Sequence, residues 1–112
     1  MTNTTTTTNA LKTFPLQKLE LVLTDELLQA VETEADMMGI PMPKQQAQAV
    51  SAPVPIDSLV AVEIICAIEP IIGFSPSDAT VRAGGYASVE DALKHLLPRL
   101  EHQWLKKQGG AK

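Results

Sequence analysis

The segment Pro55-Ile-Asp-Ser-Leu-Val-Ala-Val-Glu-Ile-Ile-Cys-Ala-Ile-Glu-Pro-Ile-Ile-Gly-Phe74 most constrains what this chain can fold into. A polar pair, Asp57-Ser58, is followed at once by a long apolar run, the sequence signature of a helix start. Either side chain can serve as N-cap by accepting a hydrogen bond from an orphan backbone N–H of the first turn. Ala61, Ile64, Ile65, Ile68 and Ile72 then recur at helical spacing and form a core-packing face. The opposite side should be charged, yet it carries Leu59, Val62 and Cys66, with Glu63 and Glu69 beside them. A helix apolar nearly all round is either buried or offers a stripe to another molecule. Here the stripe begins beside a serine hydroxyl.

The rest of the chain reads as one small helical domain around this segment. At 112 residues it is too short for two stable cores. Thr24 reads as a helix start, with Asp25 and Glu26 in the first turn, where the helix dipole favours acids. Leu27, Leu28, Val31, Ala35 and Met38 line its inner face, and Gly39 followed by Ile40-Pro41 ends it. Phe14 to Leu23 before it is either an extended segment laid on the bundle or a short helical lead-in. Residues 41–55 form a long, proline-bearing connection of the kind that is functional or partly structured.

After Gly73, Ser75-Pro76-Ser77-Asp78 reads as a turn or a fresh helix start, and Asp78 to Ala83 as a short helical turn broken by Gly84-Gly85. The glycine pair lacks a preceding strand and a phosphate-binding pattern, so it reads as a hinge. Ser88 with Asp91 makes a capping box that opens the last helix. Val89, Leu93, Leu96, Leu97, Leu100 and Trp104 give that helix an amphipathic stripe to about Lys107, with a bend expected at Pro98. Pro70 is expected to kink or end the central helix near Glu69. Three domain segments follow: a disordered threonine-rich tail (1–13), a helical domain (14–108) and a flexible end (109–112).

Charge and cysteine content exclude several function classes. The formal net charge is -4, and every acid except Glu101 lies between Glu20 and Asp91, where the only basic residues are Lys44 and Arg82. This acidic body argues against nucleic acid and favours a basic partner surface. Cys66 is the only cysteine, so no intramolecular disulfide is possible, and a lone thiol in an apolar helix reads first as packing. No stretch is long and apolar enough for a membrane span, which gives a cytoplasmic expectation. His95 and His102 are too far apart on their helix for a metal pair and have no third ligand, so they read as solvated or half-buried. No nucleophile, base and orienting group stand at a catalytic spacing, and the chain does not read as an enzyme.

Asp57-Ser58-Leu59, Val62-Glu63, Ala67-Ile68-Glu69 and the closing Gly73 together resemble the acyl and peptidyl carrier proteins. Ser88-Val89-Glu90-Asp91-Ala92 is similar to the family's last-helix element. The resemblance implies an all-α, acyl-carrier-like four-helix bundle, with three main helices and a short third one, carrying an N-terminal extension. It also implies 4'-phosphopantetheine attached covalently at Ser58, with Asp57 matching the family's aspartate. Leu59, Val62, Glu63, Cys66 and Glu69 would form the face read by partner enzymes. Those partners would be a phosphopantetheinyl transferase and the acyl-transferring or condensing enzymes of lipid or polyketide biosynthesis, served by a monomer or weak dimer. Three positions depart from the family pattern: Pro55 stands where carriers have glycine, Val60 where bacterial carriers often have an acid, and Pro70 where a further Glu is common. Pro55 favours an alternative reading, a carrier-like interaction module with no prosthetic group.

Overall fold

The computed structural model describes residues 14–110; the threonine tract 1–13 and the last two residues lie outside them. The described chain is all-α. Helix α1 spans Leu16–Met38, α2 Gln46–Ser51, α3 Ser58–Ala67, α4 Glu69–Ile72 and α5 Val89–Gly110, with a 3-10 turn at Asp78–Thr80. Among the described residues, β pairing is confined to one antiparallel bridge between Ile56 and Tyr86.

The first helix begins eight residues earlier than Thr24, because the Phe14 to Leu23 segment is itself amphipathic. Leu19, Leu23, Leu27, Leu28, Val31 and Ala35 are buried along one side, and Thr24 is buried within the helix instead of capping it. The helical ladder starts from the Pro15 carbonyl, which accepts the Leu19 N–H at 2.9 Å. Proline suits this place because its missing N–H would have had no helical partner. At the other end, Gly39 takes a left-handed φ of 73°, its N–H reaches the Asp36 carbonyl, and the Ile40 N–H reaches Ala35 at 2.8 Å. These two bonds form a Schellman cap that satisfies the last carbonyls. Met38, expected on the inner face, is 51% exposed because the chain turns away at this cap.

The long connection contains a helix, α2, which buries Ala49 and is followed by the buried anchors Val54 and Ile56. Helix α3 buries Ala61, Ile64 and Ile65, and the same face continues through Ile68 and Ile72, as their spacing predicts. Pro70 cannot donate to a helical ladder, and the chain stops at Ala67 and restarts as α4 with the proline in its first turn, where no donor is needed. The break thus falls at Ile68, one residue before Glu69.

Helix α5 is the long wall of the bundle. Val89, Ala92, Leu96, Leu100 and Trp104 are buried, while Leu93 and Leu97 pack half-buried against the core. The Ser88 hydroxyl accepts the Asp91 N–H at 3.1 Å, and Asp91 accepts the Ala87 N–H at 3.0 Å. This is the expected capping box with its return bond one residue earlier. The helix runs through the exposed Pro98 and continues past Lys107 to Gly110. Two side chains on its second half tie down the 3-10 turn. Arg99 donates to the carbonyls of Thr80 and Ala79, both at 3.0 Å, and Gln103 donates to the buried Thr80 hydroxyl at 2.6 Å.

The two ends of the described chain meet where Phe14 packs edge-on against Trp104, ring centroids 5.7 Å apart. Trp104 is only 5% exposed, so the extended last helix folds back on the domain. Trp104→Ala is expected to lower unfolding free energy by about 3–5 kcal/mol in urea denaturation. A cycle with Phe14→Ala should return a coupling of about 0.5–1.5 kcal/mol for the ring pair. Additive effects would show that the two rings do not stabilise each other.

Candidate functional site

The start of α3 divides its two polar residues between two roles. Asp57 is the N-cap: it has extended backbone angles, and its Oδ1 accepts the Leu59 N–H at 3.1 Å. Its own carbonyl takes the Ala61 N–H at 3.0 Å. Ser58 is then the first residue of the helix. Its hydroxyl is not used in capping and makes one long bond, donating to Asp57 Oδ1 at 3.5 Å, the weak limit for an O–H donor.

The turn leading into this helix is held from behind. Ile56 donates to the Tyr86 carbonyl at 2.8 Å and accepts the Tyr86 N–H at 2.9 Å. Gly84 and Gly85 both have positive φ, 90° and 85°. A Cβ on Gly85 would overlap the Ile56 carbonyl oxygen and lie 3.1 Å from the Ser58 nitrogen. Gly85 is therefore a close-approach position behind the serine, and Gly84 a positive-φ turn residue beside it. Glu34 of α1, with Pro55, Asp57, Val60 and Gly84, lines a depression of about 280 Å³ beside the start of α3.

Outward from Ser58, Leu59 is 71% exposed, Glu63 and Cys66 are exposed, and Val62 is half-buried. At about 100° per residue these four fall on the side opposite Ala61, Ile64 and Ile65. Cys66 is thus a surface thiol and not a core-packing one. It borders an open groove shared with Glu69, Pro70 and Phe74. Glu69 is set apart from the other four by the break after Ala67. It is half-buried in α4, and its carboxylate accepts the Ser75 hydroxyl at 2.7 Å.

A second polar cluster, not foreseen from sequence spacing, stands behind the Gly84-Gly85 turn. The Tyr86 ring is buried, and its hydroxyl accepts the Arg82 backbone N–H at 3.0 Å and lies 2.8 Å from His95 Nδ1. With the neutral imidazole protonated on Nε2, Nδ1 accepts the phenol proton, and the phenol oxygen both donates and accepts. The Arg82 guanidinium lies 4.9 Å over the Tyr86 ring and bonds both oxygens of Asp91, at 2.9 and 3.3 Å. His95 is half-buried, as expected, and His102 is exposed. Burial pushes the His95 imidazole below its ordinary range, and the positive charges of Arg82 and Arg99 add to this. Burial likewise raises the Tyr86 phenol, while the hydrogen bonds from Arg82 lower the Asp91 carboxyl. The only local signal for the cluster is the Asp91 and His95 pair, four apart on one helix face. Among the described residues, no group of three or more His, Cys, Asp or Glu side chains could hold a metal ion.

No protein-family model, curated protein or solved structure matches this chain. The functional reading therefore stands on the residues and their geometry.

Two outcomes are expected from this arrangement. Asp57→Ala removes the cap and should cost about 1 kcal/mol in urea denaturation, whereas Ser58→Ala should change stability by no more than about 0.5 kcal/mol. Equal losses would mean that the serine shares the capping. The second concerns pH: because the folded His95 binds its proton more weakly than the unfolded chain does, its contribution is complete above the ordinary histidine value of 6.5. It is lost as pH falls through the lower folded value. Melting temperature should therefore decline from about pH 6.5 downward, less steeply in His95→Asn, with Asp91 adding its own loss only below the ordinary carboxylate range. An identical slope in His95→Asn would remove His95 as the source.

Proposed function

We propose that this protein is an acyl-carrier-like protein that presents an acyl group to partner enzymes from a 4'-phosphopantetheine arm on Ser58. The observation that carries this reading is the division of labour at the start of α3, where Asp57 does the capping and the Ser58 hydroxyl is left for chemistry. A serine serving only as a cap would itself accept from the first-turn N–H groups.

The residues present fit the group. Ser58 is the first residue of a ten-residue helix, whose N-terminus favours a phosphate through its dipole and unpaired N–H groups. Ser58 Oγ is the atom at which the phosphodiester would form, and the Asp57 carboxylate stands 3.5 Å from it, close enough to hold it only weakly. Gly85 leaves no side-chain bulk behind the Ser58 nitrogen, and Ser58 itself is half-buried at the surface. When bound, the arm supplies a thiol that holds the acyl group as a thioester. Leu59, Val62, Glu63 and Cys66 supply an apolar stripe with an acidic edge, suited to enzymes that present a basic, partly apolar surface. Glu69 lies at the far end of this face and meets partners from α4.

In this reading the chain performs no catalysis of its own. Its partners are a cytoplasmic phosphopantetheinyl transferase and acyl-transferring or condensing enzymes, in lipid or polyketide synthesis, which it serves as a monomer or weak dimer. The carrier-like bundle is part of the proposal: α1, α3 and α5 take the places of the family's three main helices, and the 3-10 turn Asp78–Thr80 that of its short third one. No helix among the described residues is long and apolar enough to cross a membrane. The second reading, an unmodified interaction module, is favoured by Pro55, which stands exposed on the rim of the turn where carriers have glycine.

Intact-protein mass spectrometry after incubation with coenzyme A and a broad-specificity phosphopantetheinyl transferase separates the two. The carrier reading expects a gain of one phosphopantetheinyl group that is absent in Ser58→Ala. Folded protein that gains no mass with several transferases would leave the unmodified module.

A further inference from the structure

We propose that Tyr86 is a positioning residue for Ser58: its hydroxyl, held between the Arg82 backbone N–H and His95 Nδ1, anchors the backbone pairing with Ile56 that fixes where the serine helix begins. This rests on the reading of Ser58 as an attachment site.

The connection is short and continuous. Helix α5 holds His95, His95 and Arg82 hold the phenol, and the Tyr86 backbone exchanges two hydrogen bonds with Ile56, two residues before Ser58. The contact has no slack, because Gly85 is pressed so closely on the Ile56 carbonyl and the Ser58 nitrogen that no Cβ fits between them. An isolated bridge of two bonds has no neighbouring ladder to support it, so its persistence depends on what holds the side chain at either end. The Ile56 end is a buried apolar side chain, which resists withdrawal but does not set direction. At the Tyr86 end, the ring is buried and its hydroxyl has two fixed partners, which sets both depth and orientation. Without the phenol oxygen the ring can still fill its space, but the Gly84-Gly85 turn is free to move, and with it the wall behind Ser58. The charged and titratable groups facing His95 are Arg82 and Tyr86 from the loop and Asp91 and Arg99 from α5 itself. Protonating His95 would remove the acceptor and loosen the same anchor.

Tyr86→Phe keeps the ring and deletes the oxygen. In the unmodified protein, hydrogen exchange by NMR should show the Ile56 and Tyr86 amides losing nearly all their protection, while α1 amides such as Leu27 lose only what the global stability change dictates. Transfer of phosphopantetheine should fall by about tenfold in kcat/KM, because the turn holds the serine in place for a smaller fraction of the time. Leu100→Val weakens the buried core without touching the bridge, and should leave both the local exchange pattern and kcat/KM at the wild-type level. His95→Asn puts a non-titrating acceptor near the place of Nδ1 and should keep the bridge protected, including at acidic pH where the wild type loses it; His95→Leu should behave like Tyr86→Phe and serves in its place if that variant fails to fold.

Unchanged protection of Ile56 and Tyr86 in both Tyr86→Phe and His95→Leu would overturn the proposal. So would selective loss of protection with no change in kcat/KM. If no transferase modifies the wild-type protein, Ser58 is not an attachment site and the proposed function falls. The exchange measurement still decides whether the phenol anchors the turn.

Discussion

Helices α1 and α5 each carry a buried apolar stripe more than about four turns long and cannot remain folded with those stripes in water, so they are packed along each other, with α3 and α4 laid on α1 and α2 touching both. The buried leucines of α1 and the Val89, Leu96 and Leu100 series of α5 make up much of the core. Everything functional hangs from this seam. Helix α3 can be apolar on its inner face because α1 covers it. The loop before α5 can approach α3 closely because α5 holds Tyr86, Arg82 and Thr80 by direct side-chain bonds from His95, Asp91 and Gln103.

The site at the start of α3 is built from segments far apart in sequence. Asp57 and Ser58 come from the end of the long connection, the close wall from Gly84 and Gly85, and the flank from Glu34 of α1. What makes it chemically distinctive is small in scale: one carboxylate takes the capping bond and so releases one hydroxyl. A serine in the capping position and an alanine after it would give nearly the same helix, but no group for modification.

The features legible in the sequence were those decided by local periodicity or cap chemistry. The core face from Ala61 to Ile72, the stop at Gly39, the capping box at Ser88 and the stripe from Val89 to Trp104 all depend on residues within a turn or two of each other. Thr24 misled because a Thr-Asp-Glu string has the local chemistry of a helix start, while burial of Leu19 and Leu23 against distant partners draws the helix back to Leu16. Helix α2 was hidden in a polar run whose one buried residue, Ala49, gives little periodic signal. Within the site, the outward face of Leu59, Glu63 and Cys66 with the half-buried Val62 follows from helical spacing, and Glu69 departs from it because the break comes at Ile68. The Arg82, Tyr86, Asp91 and His95 cluster and the Gly85 approach to Ile56 join separate segments, so no single window of sequence contains them.

The Phe14 and Trp104 contact joins residues separated by nearly the whole described chain. During synthesis, chain emerges from the ribosome from the N-terminus, so α1 appears well before its partner stripe on α5. Until Trp104 and the residues after it have cleared the exit tunnel, Leu19, Leu23 and the outer turns of α1 have no permanent cover. The seam is thus completed only once α5 has emerged, and until then the nascent chain must keep this greasy first helix from other apolar surfaces.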